Sequence, residues 1–462
     1  MNKFKCLSVK AFMDGHALAT GFQFHMRPAQ IQSSKEDAGN CRIRAGHILF
    51  SCLLIFSFLT LCGCATFKPK PIDESVFRNR GEAKSDGEVQ VTATVLDREE
   101  TKETFNLDLY KSGIQPIWLE IENNTDVRIW FPSFGVDPDY FAPFEVAYKH
   151  RSTLSKQANT QMEQYFHEQA MSVYVPPGTK RSGFVFTNLD LGTKAFNVDL
   201  LSGDHEFRRF TFFISVPGLR ASHQDVDWDN LYSRDEIVSY DETDGFRKAL
   251  EGLPCCSTNK DASKKGDPLN IVIVGSGKAL HQALIRSGWD ETESLKADVA
   301  SKTKRSAGFS KQNRYASLVP FYLYGRPQDA AFRKTRDVTD EKNHLRLWLS
   351  PMRYEDQPVW VGQISRDIKV RFLKNIYQIE PLVDEARTYL LQDLWYTQTL
   401  LKYGYVKGVG EAPMSAPHQT FNNDTYFTDG YRTVMWVTGK PVSLSEVETM
   451  DGERPIKTMT DN

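Results

Sequence analysis

The stretch Asn343–Phe372, NHLRLWLSPMRYEDQPVWVGQISRDIKVRF, constrains the fold more than any other part of the chain. Leu345, Leu347 and Leu349 alternate with His344, Arg346, Trp348 and Ser350, the period of two with which a strand presents one apolar face to a core. A return strand begins at Pro358 with Val359, Trp360 and Val361 and runs towards Phe372, and the short polar turn between the two makes an antiparallel hairpin. With the leucines inward, His344, Arg346 and Ser350 share the opposite face. Gln363, Ser365 and Asp367 share one face of the second strand, and Arg366, Lys369 and Arg371 add positive charge nearby. A face of this kind is either a binding surface or a solvated sheet surface, and the hairpin alone leaves both open.

The 462 residues suit two or three domains. The net charge of −2 argues against a broad nucleic-acid footprint, which needs a basic domain or stripe. Without residues 1–63 the chain keeps 50 Lys and Arg against 56 Asp and Glu, a net −6, so neither DNA nor an anionic membrane surface suits its bulk charge. Of the seven cysteines, five lie at or before Cys64 and only Cys255 and Cys256 remain beyond it, too few for a disulfide framework.

Ile48–Leu61 is an apolar run of 14 residues preceded by Arg42, Arg44 and His47. A transmembrane helix needs about 20 apolar residues, so the run reads as the hydrophobic region of a signal peptide. Leu61-Cys62-Gly63-Cys64 follows and resembles a bacterial lipobox. The resemblance implies cleavage after Gly63, diacylglyceryl and acyl modification of Cys64, and, with Ala65 in place of Asp, an outer-membrane location facing the periplasm. Met26 is an alternative start. Residues 64–87, with Lys68-Pro69-Lys70-Pro71 and mixed charge, read as a tether.

Residues 88–217 carry several short alternating runs separated by turn signals. These include Val89–Val95, Ile117–Ile121, Val127–Phe131, Met171–Val175, Gly183–Thr187, Phe196–Leu201 and Phe207–Val216. Such a series points to an immunoglobulin-like β-sandwich. Thr160–Ala170, polar and rich in Gln and Glu, reads as a helical crossover. His150, His167 and His205 show no ligand spacing.

Residues 218–267 are polar and broken, and read as a linker with one short helix carrying Phe246 and Leu250. Adjacent Cys255 and Cys256 cannot form a zinc knuckle, which spaces its thiolates; a vicinal disulfide and two free thiols both stand as readings. Residues 268–439 read as a mixed α/β domain. Leu269–Val274 is a β-branched strand, and Gly275-Ser276-Gly277-Lys278 a tight turn into a helix, since Leu280 stands where a dinucleotide fingerprint needs its third glycine. Pro381–Tyr403 is the clearest helix, and residues 440–462 read as a flexible tail. No cofactor motif appears, and His281 and His344 have no partner at a metal-ligand spacing.

Five blocks of this region, Tyr315–Asp329 (YASLVPFYLYGRPQD), Asn343–Trp348 (NHLRLW), Val359–Asp367 (VWVGQISRD), Val383–Arg387 (VDEAR) and Tyr405–Gly410 (YVKGVG), resemble the domain named for the C-terminal part of LssY-type proteins. In that family the domain is often joined to phosphatidic-acid-type phosphatases or DedA-like membrane proteins. The resemblance implies an envelope setting and a link to lipid or lipid-phosphate handling, with an envelope protein or lipid phosphate as partner. It implies no activity.

Two functions follow as expectations. The first is a lipid-anchored envelope protein that binds an anionic ligand through Arg326, Arg346 and Arg366, whose guanidinium forks suit phosphate and carboxylate. Each of these arginines equally suits an internal ion pair with Asp329, Asp367 or Asp384. The second is a hydrolase with His344 as general acid/base, Asp367 orienting it and Ser365 as nucleophile, although no nucleophile elbow frames Ser365.

Overall fold

A computed structural model describes residues 67–153, 155–294, 296, 314–335, 341–369 and 377–452. The apolar segment 48–61 and Cys64 lie outside them. No helix among the described residues is long and apolar enough to cross a membrane. The architecture is mostly β, built from antiparallel and mixed sheets.

Glu82–Ser85, Val89–Val95, Ile114–Asn123 and Thr179–Asn188 form one antiparallel four-stranded sheet in that order. Tyr174–Val175, Ile129–Trp130, Gly192–Ser202 and Phe207–Val216 form a second. The alternating residues of both meet in a single apolar core, Val91, Ile117, Leu119 and Ile121 from one sheet with Phe196, Val198, Leu200 and Phe212 from the other. The expected crossover is the helix Lys156–Gln169, which buries Ala158, Met162 and Phe166. The expected strand at Met171–Val175 shrinks to its last two residues.

The segment expected as a tether is folded from Glu74 onward. Asp73 caps the helix Glu74–Arg80 by accepting from the Ser75 amide, and Phe77 is buried. Phe77, with Phe67 and Ile72, packs into an aromatic cluster with Phe105, Trp118 and Phe166. Three apolar side chains spaced by charged residues are too sparse for a periodicity to show, yet enough to dock the segment.

The second region is organised on a ten-stranded mixed sheet with the long hairpin at its centre. Its strands are Lys342–Tyr354 and Gln357–Lys369, joined through Glu355 and Asp356, both at positive φ (47° and 60°). That is the two-residue turn whose twist matches antiparallel strands. Ile271–Val274 lies beside the hairpin, antiparallel to Gln357–Lys369 and parallel to Tyr431–Val437. Both faces of this strand are covered, which is why its sequence is apolar without alternation. The helices Gly277–Arg286 and Val383–Tyr396 pack on the face carrying Leu345, Leu347, Trp360 and Ile364. On the other face Trp348, Val359 and Val361 pack against Phe246, Leu250, Phe321 and Leu323.

The segment 218–267 is part of this framework and not a free linker. Val238–Tyr240 pairs with the hairpin, the helix Thr243–Glu251 buries Phe246 and Leu250, and Cys256–Thr258 pairs with Lys265–Pro268 in a small covering sheet. Fully buried Arg432 fastens it by donating to the carbonyls of Leu250, Leu253, Pro254, Leu269 and Gly408. Cys255 and Cys256 beside these carbonyls form a vicinal disulfide. Of the expected flexible tail, Glu448–Thr449 pairs with Leu400–Lys407 and Met450 is buried; residues 453–462 lie outside the described part. The expected helix to Tyr403 ends at Tyr396, and the chain turns at Gln398 (φ 61°) into the strand Leu400–Lys407.

Candidate functional site

The hairpin register places His344 opposite Ser365 and Arg346 opposite Gln363. His344, Arg346, Ser365 and Asp367 therefore share one face, as the alternation predicts. That face is not solvated. Arg346, Gln363 and Ser365 are buried beneath the covering segments, together with Asp267. Arg346 Nη1 donates to Gln363 Oε1 (2.8 Å), Gln363 Nε2 donates to Asp267 Oδ2 (3.1 Å), and the guanidinium lies 4.0 Å over the Phe321 ring. Burial drives the Asp267 carboxyl up to about 6 against the opposing pull of Arg346.

His344 Nδ1 stands 3.4 Å from Asp367 Oδ2, and its Nε2 is buried without a hydrogen-bond partner among the described residues. Burial, reinforced by the Arg333, Arg346 and Lys342 cations, holds His344 well below the usual imidazole range. Asp367 rises to about 6, burial outweighing the same cations. The expected acid–base pair is thus in contact and half-buried, while Ser365, the expected nucleophile, is buried.

The other two arginines do not join it. Arg366 projects to the helical face, where Nε donates to Asn343 Oδ1 (3.0 Å) and Nη1 to Glu380 Oε2 (3.2 Å) beside the Tyr389 ring. Arg326 makes a two-pronged bond to Asp329 (2.9 Å each) and donates to the Leu349 carbonyl (2.7 Å). These arginines are spent internally.

A cavity of about 420 Å³ lies elsewhere, on the helical side of the sheet. Trp360, Phe332 and Leu349 of the sheet, Leu280 of the Gly277–Arg286 helix, and Trp228 wall it. Gly275 (φ 152°) makes the tight turn that seats this helix; a side chain there would meet Val437 at 2.9 Å. Ser276 caps the helix by accepting from the Ala279 amide, and Trp360 Nε1 donates to the Gly275 carbonyl (3.0 Å). Trp228 stands edge-on to Trp360, ring centres 5.5 Å apart. Exposed Lys278 supplies a cationic group at the cavity.

His223 and His281 complete the lining, with buried Glu291 beside them. His281 Nε2 is 3.0 Å and His223 Nδ1 3.7 Å from the same oxygen, Glu291 Oε1. The other oxygen, Oε2, accepts from the Thr193 amide at 2.8 Å. Thr193 and Gly192 begin the strand Gly192–Ser202, so the cluster sits where the two folded regions meet. A side chain at Gly192 (φ 78°) would lie 2.5 Å from Glu291 Oε2. Burial opposes ionisation of Glu291, but the His281 hydrogen bond and the two imidazoles outweigh it and hold the carboxyl below its usual value. Burial also lowers His223, although the Glu291 charge opposes this. His281, which no sequence spacing pairs with another ligand, thus has two partners. His223 lies 58 residues before it and Glu291 ten after, and only the fold joins them.

Residues 247–431 match the family described as LssY C-terminus, over a span that takes in every block of the resemblance. The matched span holds the hairpin, Lys278, His281, Glu291 and Trp360, whereas His223 and Trp228 precede it. No curated protein matches the chain.

Proposed function

We propose that this protein is a lipid-anchored, periplasm-facing envelope protein that binds an amphiphile, its apolar body in the Trp228–Trp360 cavity and its anionic head at Lys278. The cavity carries the reading. Its volume falls within the roughly 300–1,000 Å³ typical of small-molecule sites, and it pairs aromatic walls with few polar groups. The apolar segment and Cys64 supply the anchor, and the LssY-like resemblance supports a lipid or lipid-phosphate setting. We read the two sheets, which reach back from the expected residues 88–217 to Glu82, as an immunoglobulin-like sandwich that presents Thr193 to the cavity's edge. The test is calorimetric titration with decyl phosphate and with decanol. Decyl phosphate should saturate one site, and Lys278→Ala should weaken it by about tenfold while leaving decanol unchanged. Equal loss for both, or no saturable binding, contradicts the reading. For the anchor, Cys64→Ser should release the protein from membranes; retention contradicts it.

A second reading, a hydrolase acting on a phosphorylated or acylated envelope substrate through His344, Asp367 and Ser365, is favoured by the 3.4 Å His344–Asp367 contact. Burial of Ser365, the nucleophile of this reading, weighs against it. Turnover of phosphate and acyl esters that His344→Ala and Asp367→Asn both abolish would establish it, and absence of turnover by the wild type would end it.

A further inference from the structure

The geometry points to a divalent transition-metal site of the zinc class formed by His223 Nδ1, His281 Nε2 and Glu291 Oε1, with its remaining coordination position open to the cavity. This inference does not depend on what occupies the cavity.

The three donor atoms all lie within 4.8 Å of one another. Atoms bound about 2.0–2.1 Å from a tetrahedral zinc stand about 3.3–3.4 Å apart. The observed separations of 3.0 and 3.7 Å from Glu291 Oε1 bracket that spacing, and the two imidazole nitrogens stand within 4.8 Å of each other, so an ion is seated by drawing the imidazoles together. A histidine–glutamate hydrogen bond alone does not account for the arrangement. It explains His281, but His223 Nδ1 lies 3.7 Å from the same oxygen, beyond hydrogen-bond reach.

The surroundings are those of a ligand set held in advance. The Thr193 amide fixes the far oxygen of Glu291, the outer-shell bond that orients a ligating carboxylate. Gly192 leaves the clearance this requires. The three ligands come from a short 3-10 turn (Ser222–Asp225), a helix (Gly277–Arg286) and a strand (Asp290–Glu291), so no single segment can relax and dissolve the cluster.

Two imidazoles and one carboxylate favour zinc, cobalt or iron(II) over magnesium and calcium, which take oxygen ligands. His223 and His281 line the cavity while Glu291 lies beside them, so the fourth position faces the cavity, as in three-ligand sites that keep an exchangeable position. In the metal-free form, His281 Nε2–H donates to Glu291. On binding, that nitrogen gives its lone pair to the ion and the neutral ring carries its single proton on Nδ1 instead, exchanged through solvent with no net release.

The test uses the full chain, untagged, extracted in detergent and stripped with chelator, titrated calorimetrically with Zn²⁺ and spectroscopically with Co²⁺. We expect one ion per chain and visible Co²⁺ bands of a low-coordinate nitrogen–oxygen site. His281→Ala and Glu291→Gln should each weaken binding by about a hundredfold or more, and partly exposed His223→Gln, which leaves the core untouched, should do the same. No stoichiometric binding overturns the inference. So does binding unchanged in His223→Gln with the fold retained, or equal competition by Mg²⁺. Sulfur-to-cobalt charge-transfer bands would also overturn it, by placing the ion on cysteine.

Discussion

His344–Asp367 and His281–Glu291 are the same two functional groups in opposite settings. The first pair is half-buried beside Arg346, Gln363 and Asp267, which are buried and bonded to one another, and its expected nucleophile Ser365 is buried with them. In the second only the imidazole lines a cavity, and its buried carboxylate is held between a second imidazole and a backbone amide on another region of the fold. The hairpin cluster has the residue types of a catalytic site and the burial of a structural one. A list of chemically able residues therefore does not locate a site; access does.

Removing a structural charge should produce the largest effect. Arg346→Ala leaves Asp267 buried without its cation and should cost about 3–5 kcal/mol in denaturant unfolding, whereas Trp228→Ala, at the cavity mouth, should cost less than about 1 kcal/mol. Equal losses would erase the distinction between the two regions.

The pH dependence separates them next. Asp267 and Asp367 have folded values near 6, above their unfolded values, so the folded state binds more protons between about pH 4 and 6. Their contribution is complete below pH 4 and is lost as the pH rises through 6, on the order of 3 kcal/mol for Asp267. His344 acts in the other direction, since its depressed value makes the unfolded chain the better proton acceptor below about 6.5. Asp267→Asn should flatten the decline between pH 4 and 6, and His344→Gln should steepen it; unfolding curves across that range decide. Glu291, held low by its imidazoles, should contribute stability that is present above the carboxylate range and lost on acidification.

Gly192→Ala should have a smaller effect, about 1–2 kcal/mol, from its positive φ and the approach to Glu291. It should also weaken Zn²⁺ binding. A destabilised protein that keeps full zinc affinity would separate the strand from the cluster.

The hairpin and its register were legible because alternation fixes the face on which each side chain lies. The burial of its polar face was not, because the cover comes from Phe321 and the Cys256–Pro268 hairpin, distant in sequence. Arg326 and Arg366 looked like ligand contacts because a guanidinium reads alike whether its partner is an outside anion or an internal carboxylate. Asp329 was foreseen as such a partner, whereas Glu380 was not. The cavity left no sequence signal. Trp228, His281, Glu291 and Trp360 come from separate elements, and no spacing records their meeting. The folded start at Glu74 was missed for a similar reason, since Phe77 docks as a single anchor.

Calorimetric titration of decyl phosphate into the wild type, Trp228→Ala and His344→Ala tests the placement of the site most directly. Trp228→Ala should lose about tenfold or more in affinity while His344→Ala binds as the wild type does. Loss of binding in His344→Ala with Trp228→Ala unaffected would return the site to the hairpin and contradict the account.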